Sequence, residues 1–393
     1  FQPIIFEIYS DFQSSNEIYS IIIIDGSRGH LSMTCALVVA AAVLPLLVGS
    51  TFAPTRCIDT HVHLTTLPLS AYTFPNAFPS LAKQWHAKDF YAAVAQSTAE
   101  ASSALAKGGA LLMQLGKVNC SDVNVHLKEA QSFQAIADAC PPRFKLGAAT
   151  ATTAAESAAA AAVAETGGAR SNNPCAPIVG FVAGAPLELP SSAALLSTMN
   201  RTLPALRGIR EAVWHREDAW IESVAFVSGV RQLAKFNLPF DVLLRAPQLA
   251  VVTKLVSAVP TVRFNVNHLA YPPSPTSAEF KVWCDGMHAL ARYPNAFAKL
   301  SGLPQSTNST FPAWRDPSIF LSAVRCTLDA FGSKRVNFAG NWFVETLFGS
   351  YAEMWEVVVD GVLQSPELGL SDDEIEDVMW RTANELYRLG LEE

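Results

Sequence analysis

Charge is scarce in this chain. Only 16% of its 393 residues are Asp, Glu, Lys or Arg, while half are apolar. A disordered polypeptide is thereby excluded, and one large core or two ordinary ones are expected. The net charge of −7 offers no basic face, so no nucleic-acid partner is expected. There are seven cysteines but no Cys-x-x-Cys pair, which argues against a zinc knuckle. No glycine-rich turn follows the first β-prone run, which counts against a dinucleotide-binding sheet. Histidine is also sparse, at eight residues, so three in apt positions would be informative.

The first residues differ from the rest. Residues 1–32 hold one apolar run, 21–24, and no recognisable pattern. From Met33 a signal peptide is expected: 36–49 is almost wholly apolar and too short to span a bilayer comfortably. Val48-Gly49-Ser50 or Thr51-Phe52-Ala53 would serve for cleavage. No Lys or Arg lies between Met33 and the run, so an uncleaved anchor and a buried helix stay open. The expectation is an N-terminal extension over 1–55 and one domain over 56–393. Secretion follows from it, with no membrane partner after cleavage. The cytoplasm is the alternative if the extension is foreign to the native protein. In an exported protein Cys120, Cys140 and Cys175 are the candidates for pairing, with connectivity open.

What is present begins with Cys57-Ile58-Asp59-Thr60-His61-Val62-His63-Leu64. As a strand it would turn Asp59, His61 and His63 to one side and Ile58, Thr60, Val62 and Leu64 to the other. Two histidines one residue apart then present both imidazoles to one place, a ready pair of metal ligands. A chance pair of surface histidines is the plain alternative. Seven further β-rich runs follow at 110–115, 178–183, 206–213, 240–245, 263–269, 296–301 and 336–342. Segments long enough for a helix separate them. This alternation predicts an α/β fold, a closed (β/α)8 TIM barrel. A helix is expected over 89–107, and Ser371-Asp372-Asp373-Glu374 has the form of a capping box. The Ala-rich stretch 147–169 reads either as a helical insertion between strands 2 and 3 or as a low-complexity linker.

Chemistry in such barrels gathers at the carboxyl ends of the strands. Those ends offer His61 and His63, then Gln114, then only Ala183 and Gly184. Arg210 and Glu211 follow, then Asp241 and Arg245, Asn267 and His268, Lys299 and Ser301, and finally Asn341. His86, His126 and His288 fall in helical or loop stretches and read as surface groups. Trp342 and Phe343 read as rim packing.

Six segments together carry a resemblance: Asp59-Thr60-His61-Val62-His63; Leu206-Arg207-Gly208-Ile209-Arg210; Val266-Asn267-His268-Leu269; Lys299-Leu300-Ser301-Gly302-Leu303; Gly340-Asn341-Trp342-Phe343-Val344; and Asn384-Glu385-Leu386-Tyr387. In this order the chain from about Cys57 onward resembles the amidohydrolase superfamily, in its amidohydrolase 2 branch of TIM-barrel, lactonase-like hydrolases. The resemblance implies His61, His63 and His268 as catalytic and metal-holding groups around one divalent ion, zinc or manganese. A metal-free site in which they donate to an oxyanion is the alternative. It further implies Arg210 as a substrate-binding group, and the strand-end positions of Gln114, Arg245 and Lys299 suit the same role. The substrate would be a small molecule with an ester-like carbonyl, most plausibly a sugar or carboxy-lactone. A bound ion would polarise the carbonyl and bring the pKa of its water to roughly 7.

The chain departs from the pattern at the eighth strand. The family usually places an aspartate there as base; here it is Asn341, which cannot take a proton at neutral pH. A histidine, water held on the ion, or Glu345 just beyond could replace it. No lysine ends the fourth strand to bridge two ions, so a two-metal site is not expected. Decarboxylation on the same barrel, and a non-catalytic barrel that lost its base, are the other readings. Self-association is left open.

Overall fold

The computed structural model describes residues 52–73, 78–117, 120–142, 175–306 and 313–392. The signal segment expected from Met33 and the Ala-rich stretch 147–169 lie outside the described residues. Ala53–Glu393 is one compact unit.

Eight parallel strands pair in sequence order: β1 Ile58–Val62, β2 Gly109–Met113, β3 Ile178–Gly184, β4 Leu206–Ala212, β5 Phe240–Leu243, β6 Phe264–Val266, β7 Ala296–Leu300 and β8 Val336–Phe338. The sheet closes through a parallel bridge between Val62 and Trp342, where His63 N donates to the Trp342 carbonyl at 2.6 Å. The expected eight-stranded barrel is therefore the fold. Most strands are buried along their whole length, which is why they read as nearly continuous apolar runs rather than alternating ones. Helices such as Val123–Ala139, Ser192–Thr202, Leu249–Ala258, Ala278–Ala291 and Ser318–Phe331 fill the crossovers.

The foot of the barrel is closed by the C-terminal helical run. It starts at the expected capping box: Glu374 N donates to Ser371 Oγ, and Ser371 N donates to Glu374 Oε2. Trp380, Ala383, Leu386 and Tyr387 then pack with Ile58, Leu111, Val179 and Phe297.

Three local expectations need correction. The helix expected over 89–107 is two, Ala87–Ala95 and Ala99–Gly108. Ser97 and Ser102 hydroxyls both donate to the Val94 carbonyl, and Thr98 caps the second helix. Short hydroxyl side chains compete with the helix backbone in this way. The strands expected over 263–269 and 336–342 are continuous only to Val266 and Phe338, with Trp342 pairing again as an isolated bridge to Val62. Beyond them the backbone enters the left-handed region at His268, Leu269, Ala270, Tyr271 (φ 54°, 50°, 57°, 53°) and Asn341 (φ 51°). Such conformations are costly for non-glycine residues and cluster at functional sites. Regular alternation is also broken in β1, whose register shifts between Asp59 and Val62.

Of the three cysteines expected to pair, Cys140 bonds Cys175, while Cys120 is free. A second disulfide, Cys284–Cys326, joins the neighbouring helices Ala278–Ala291 and Ser318–Phe331.

Candidate active site

His61 and His63 both turn into the carboxyl-end mouth. Their Nε2 atoms lie 3.0 Å apart, and both rings are buried. His63 Nδ1 donates to the Met113 carbonyl at 3.0 Å, which leaves its Nε2 with the lone pair. This is the pattern that orients a ligating imidazole. Burial, with Lys299, His63, His268 and Arg210 adding positive charge, holds His61 well below the usual histidine range. Burial, reinforced by Arg210 and Lys299, does the same for His63. Both rings are neutral at neutral pH. Asp59 stands apart from them: it accepts from His61 N, Gly340 N and Tyr351 Oη, and so ties β1 to the segment after β8.

His268 arrives from the left-handed turn after β6. Its ring centroid is 4.7 Å from that of His61, and its Nδ1 pairs with Ser301 Oγ at 2.7 Å. Gly302 permits this approach: a Cβ there would stand 2.8 Å from the ring, and its φ is +64°. Burial, then Arg210 and Lys299, keep His268 well below its ordinary pKa.

Lys299 lies deeper inside the barrel. Its Nζ donates to Asp241 Oδ1 at 2.7 Å and to the Thr60 carbonyl at 2.9 Å, with no exposed surface. Tyr387 Oη donates to the other Asp241 oxygen at 2.7 Å, so this pair continues into the C-terminal helix. Lys299 thus acts on the imidazoles through its charge, with its own contacts taken up by Asp241 and Thr60.

Arg210 spans the mouth between β2 and β6. Nε donates to Asn267 Oδ1 at 3.2 Å, and Nη1 donates to the Gln114 carbonyl at 2.6 Å. No carboxylate forms a salt bridge with it among the described residues. The side chain of Gln114 supports Arg210 through its Oε1 at 3.4 Å and turns its Nε2 to the Leu115 carbonyl. Arg245 is differently placed. It is exposed and lies over the Trp214 ring, 4.6 Å from its centroid. The bareness expected at the end of β3 has a physical cause: a Cβ on Gly184 would meet His126 Nδ1 at 2.7 Å and Gln114 Cγ at 2.8 Å. His126 is accordingly buried, not a surface group. Its Nε2 donates to the Cys120 carbonyl, and burial pushes its pKa down to about 4.

At the end of β8, Asn341 Nδ2 donates to Glu345 Oε1 at 2.8 Å. Both residues are buried, and Asn341 Oδ1 and Glu345 Oε2 have no hydrogen-bond partner among the described residues. Burial raises the Glu345 carboxyl to about 8. Trp342 and Phe343 pack with Trp85, the latter stacked at 4.8 Å, as rim residues. Two groups at the mouth escaped sequence reasoning. Tyr271, whose ring is 5.3 Å from His268, carries no local signal. The fully buried pair Lys117–Glu129 (2.5 Å) joins residues from a loop and a helix that only the fold brings together.

The donor set suits one nitrogen-preferring divalent ion. His61 and His63 bring their Nε2 atoms to 3.0 Å from each other, and His61 Nδ1 is a buried nitrogen without a hydrogen-bond partner among the described residues. His268 stands beside this pair, but the three rings do not bring one nitrogen each within 4.8 Å of one another. The described residues that do form such a group, Cys284, His288 and Cys326, lie on the outer helices and include a disulfide.

The sequence profile of the family Amidohydro_2, described as Amidohydrolase, matches residues 58–389. The L-fucono-1,5-lactonase of Burkholderia ambifaria is 27% identical over 179 residues, which is 45% of this chain and 59% of that protein. An uncharacterized protein of Sinorhizobium fredii is 32% identical over 127 residues, 32% of this chain and 41% of that one. The chain thus matches about half the length of these relatives. Among solved structures, a zinc-bound amidohydrolase from Burkholderia multivorans shares the fold at a TM-score of 0.61 and 20% identity, covering 85% of this chain and 99% of its own. A putative 2-pyrone-4,6-dicarboxylic acid hydrolase from Pseudomonas putida does so at 0.57 and 13% identity, covering 86% and 99%. With its profile match running through all eight strands and its histidines at the strand ends, the chain belongs to the amidohydrolase family.

Proposed function

We propose that this barrel hydrolyses an ester-like carbonyl in a small molecule, of the sugar-lactone or carboxy-lactone class. The observation that carries the reading is the pair of neutral, buried imidazoles, His61 and His63, facing each other with the buried guanidinium of Arg210 close enough to act on both and without a carboxylate salt bridge among the described residues. A buried cation with no directly paired carboxylate is costly unless an anionic or strongly polar ligand meets it, and Arg210 has acids such as Asp241 and Glu211 only at longer range. Similarity to a lactonase over part of the chain supports the same class.

In this mechanism Arg210 binds a carboxylate or hydroxyl of the substrate and fixes the carbonyl over the imidazoles. His61 and His63 are the groups that would hold a divalent ion, zinc or manganese, with His268 standing beside them, and the ion when bound supplies Lewis acidity toward the carbonyl. Without one, His268, its Nδ1 accepting from Ser301 Oγ, has its Nε2–H to donate to the developing oxyanion. The aromatic rim of Trp85, Trp342 and Phe343 limits access of bulk water to the mouth.

The site belongs in an oxidising compartment, in keeping with two disulfides among the described residues. No helix among those residues is long and apolar enough to cross a membrane.

The purified protein, assayed against a panel of aldono-lactones and carboxylated lactones with zinc or manganese added, should open at least one ring. Absence of turnover across the panel under both metals, with no metal retained, would overturn the reading.

A further inference from the structure

The eighth-strand end holds a buried pair whose bonding is incomplete. Asn341 Nδ2 donates to Glu345 Oε1 at 2.8 Å, and Glu345 N donates back to the Asn341 carbonyl at 3.2 Å. The short turn Val344–Leu347 thereby holds the carboxylate directly beneath the strand end. Glu345 is only 4% exposed, yet its Oε2 has no partner, and no salt bridge reaches it among the described residues. Native proteins rarely leave such an oxygen unpaired without a use for it. The Tyr271 phenol connects it to the mouth. Tyr271 is close enough for the charge of Glu345 to act on it, Arg210 and Arg245 act on the same phenol, and the Tyr271 ring is 5.3 Å from that of His268.

Resting on the hydrolase reading above, we propose that Glu345 is the proton-transferring group of this site, taking the part that Asn341 cannot play. The carboxylate role has moved four residues along the chain, from the strand end to the turn that follows it. In ring opening, Glu345 takes a proton from water as the water oxygen bonds to the carbonyl carbon and the carbonyl π pair shifts onto oxygen. The pair returns, the ring C–O bond breaks, and Glu345 gives its proton to the leaving alkoxide. The product is a hydroxy acid, and Glu345 is again a carboxylate. Asn341 grips Oε1 and leaves Oε2 to exchange the proton.

Burial, opposed only by the Asn341 hydrogen bond, raises the Glu345 carboxyl to about 8. Tyr271 is itself pushed above its ordinary value of 10 by burial and stays neutral over this range. The carboxylate form therefore grows as pH rises through about 8, and the rate should climb with it.

The test compares wild type with Glu345→Gln, Glu345→Asp and the double variant Glu345→Gln/Asn341→Asp on whichever lactone the wild type opens. Glu345→Gln should lower kcat by about 10²–10⁴-fold, leave KM within a few-fold and abolish the rise with pH. Glu345→Asp should keep part of the rate, and the double variant should regain activity with a pH profile moved to lower pH. A Glu345→Gln variant within threefold of wild type, or one that keeps the pH rise, overturns the proposal. If the wild type opens no lactone, the hydrolase reading fails, and difference infrared spectroscopy then decides on Glu345 alone. A protonated-carboxyl band at pH 7 that vanishes in Glu345→Gln supports a proton-holding group. No such band, or one that persists in the variant, overturns it.

Discussion

Lys299 Nζ and Asp241 Oδ1 meet at 2.7 Å inside the barrel, with neither side chain exposed to solvent. Burial works against the charged lysine and lowers its pKa, while Asp241 works to raise it. Tyr387, Asn267 and, at 3.5 Å, Asn265 donate further hydrogen bonds to Asp241. The pair thus couples β5 and β7 to the C-terminal helix and places a fixed positive charge below the imidazoles.

Breaking that pair from one side should be severe. Asp241→Asn leaves a buried ammonium without its counter-charge, a change that typically costs about 3–5 kcal/mol. The urea midpoint should fall accordingly. Combining Lys299→Met with Asp241→Asn should recover much of the loss, and full additivity of the two losses would contradict the pairing.

Arg210 should govern substrate affinity. Its Nε and Nη1 are tied to Asn267 and Gln114, so the guanidinium is held in place before any ligand arrives. Arg210→Met should raise KM for a carboxylated lactone by about tenfold or more, in the range of one lost charged hydrogen bond. Uncharged lactones should suffer less. Equal losses for both classes would argue against anion recognition.

Removal of divalent ions should separate the two modes open to the histidines. Dialysis against a chelator should lower turnover, zinc or manganese should restore it, and His63→Ala should abolish retention of the ion measured by elemental analysis. Turnover that is indifferent to chelation would assign the imidazoles to direct hydrogen bonding.

Two buried groups give opposite pH dependences of stability. His126 has a folded pKa near 4 against an ordinary 6.5, so its contribution is present above 6.5 and lost as pH falls toward 4. Glu345 is raised from 4.5 to about 8, so its contribution is full below 4.5 and lost as pH rises through 8. Glu345→Gln should therefore stabilise the protein by on the order of 3 kcal/mol at pH 7.5 and by little at pH 4.5. Thermal midpoints at the two pH values check this, and an equal shift at both would contradict the raised carboxyl.

Much of this molecule is legible in one dimension. Strands buried on both faces are largely apolar, and helices crossing between them leave a recurring spacing; that rhythm alone specifies the barrel. The His61-x-His63 spacing forces two imidazoles to one side of a strand, and the capping box at Ser371 is a contact between residues three apart. Long-range outcomes were not legible. His268 opens a run of four successive left-handed residues, a conformation that no local preference favours, and its ring is held by Ser301 with room left by Gly302. Arg245 ends its strand as Arg210 does, yet lies exposed over Trp214 while Arg210 is buried, because side-chain direction at a rim depends on the loops that cover it. His126 looked like a surface residue until β3 brought Gly184 against it. The amino-acid order by itself determined the barrel and the paired histidines, since both follow from local periodicity. Only the closed tertiary structure decided which distant polar groups share the mouth and which of them stay charged, because burial and pairing are properties of the assembled whole.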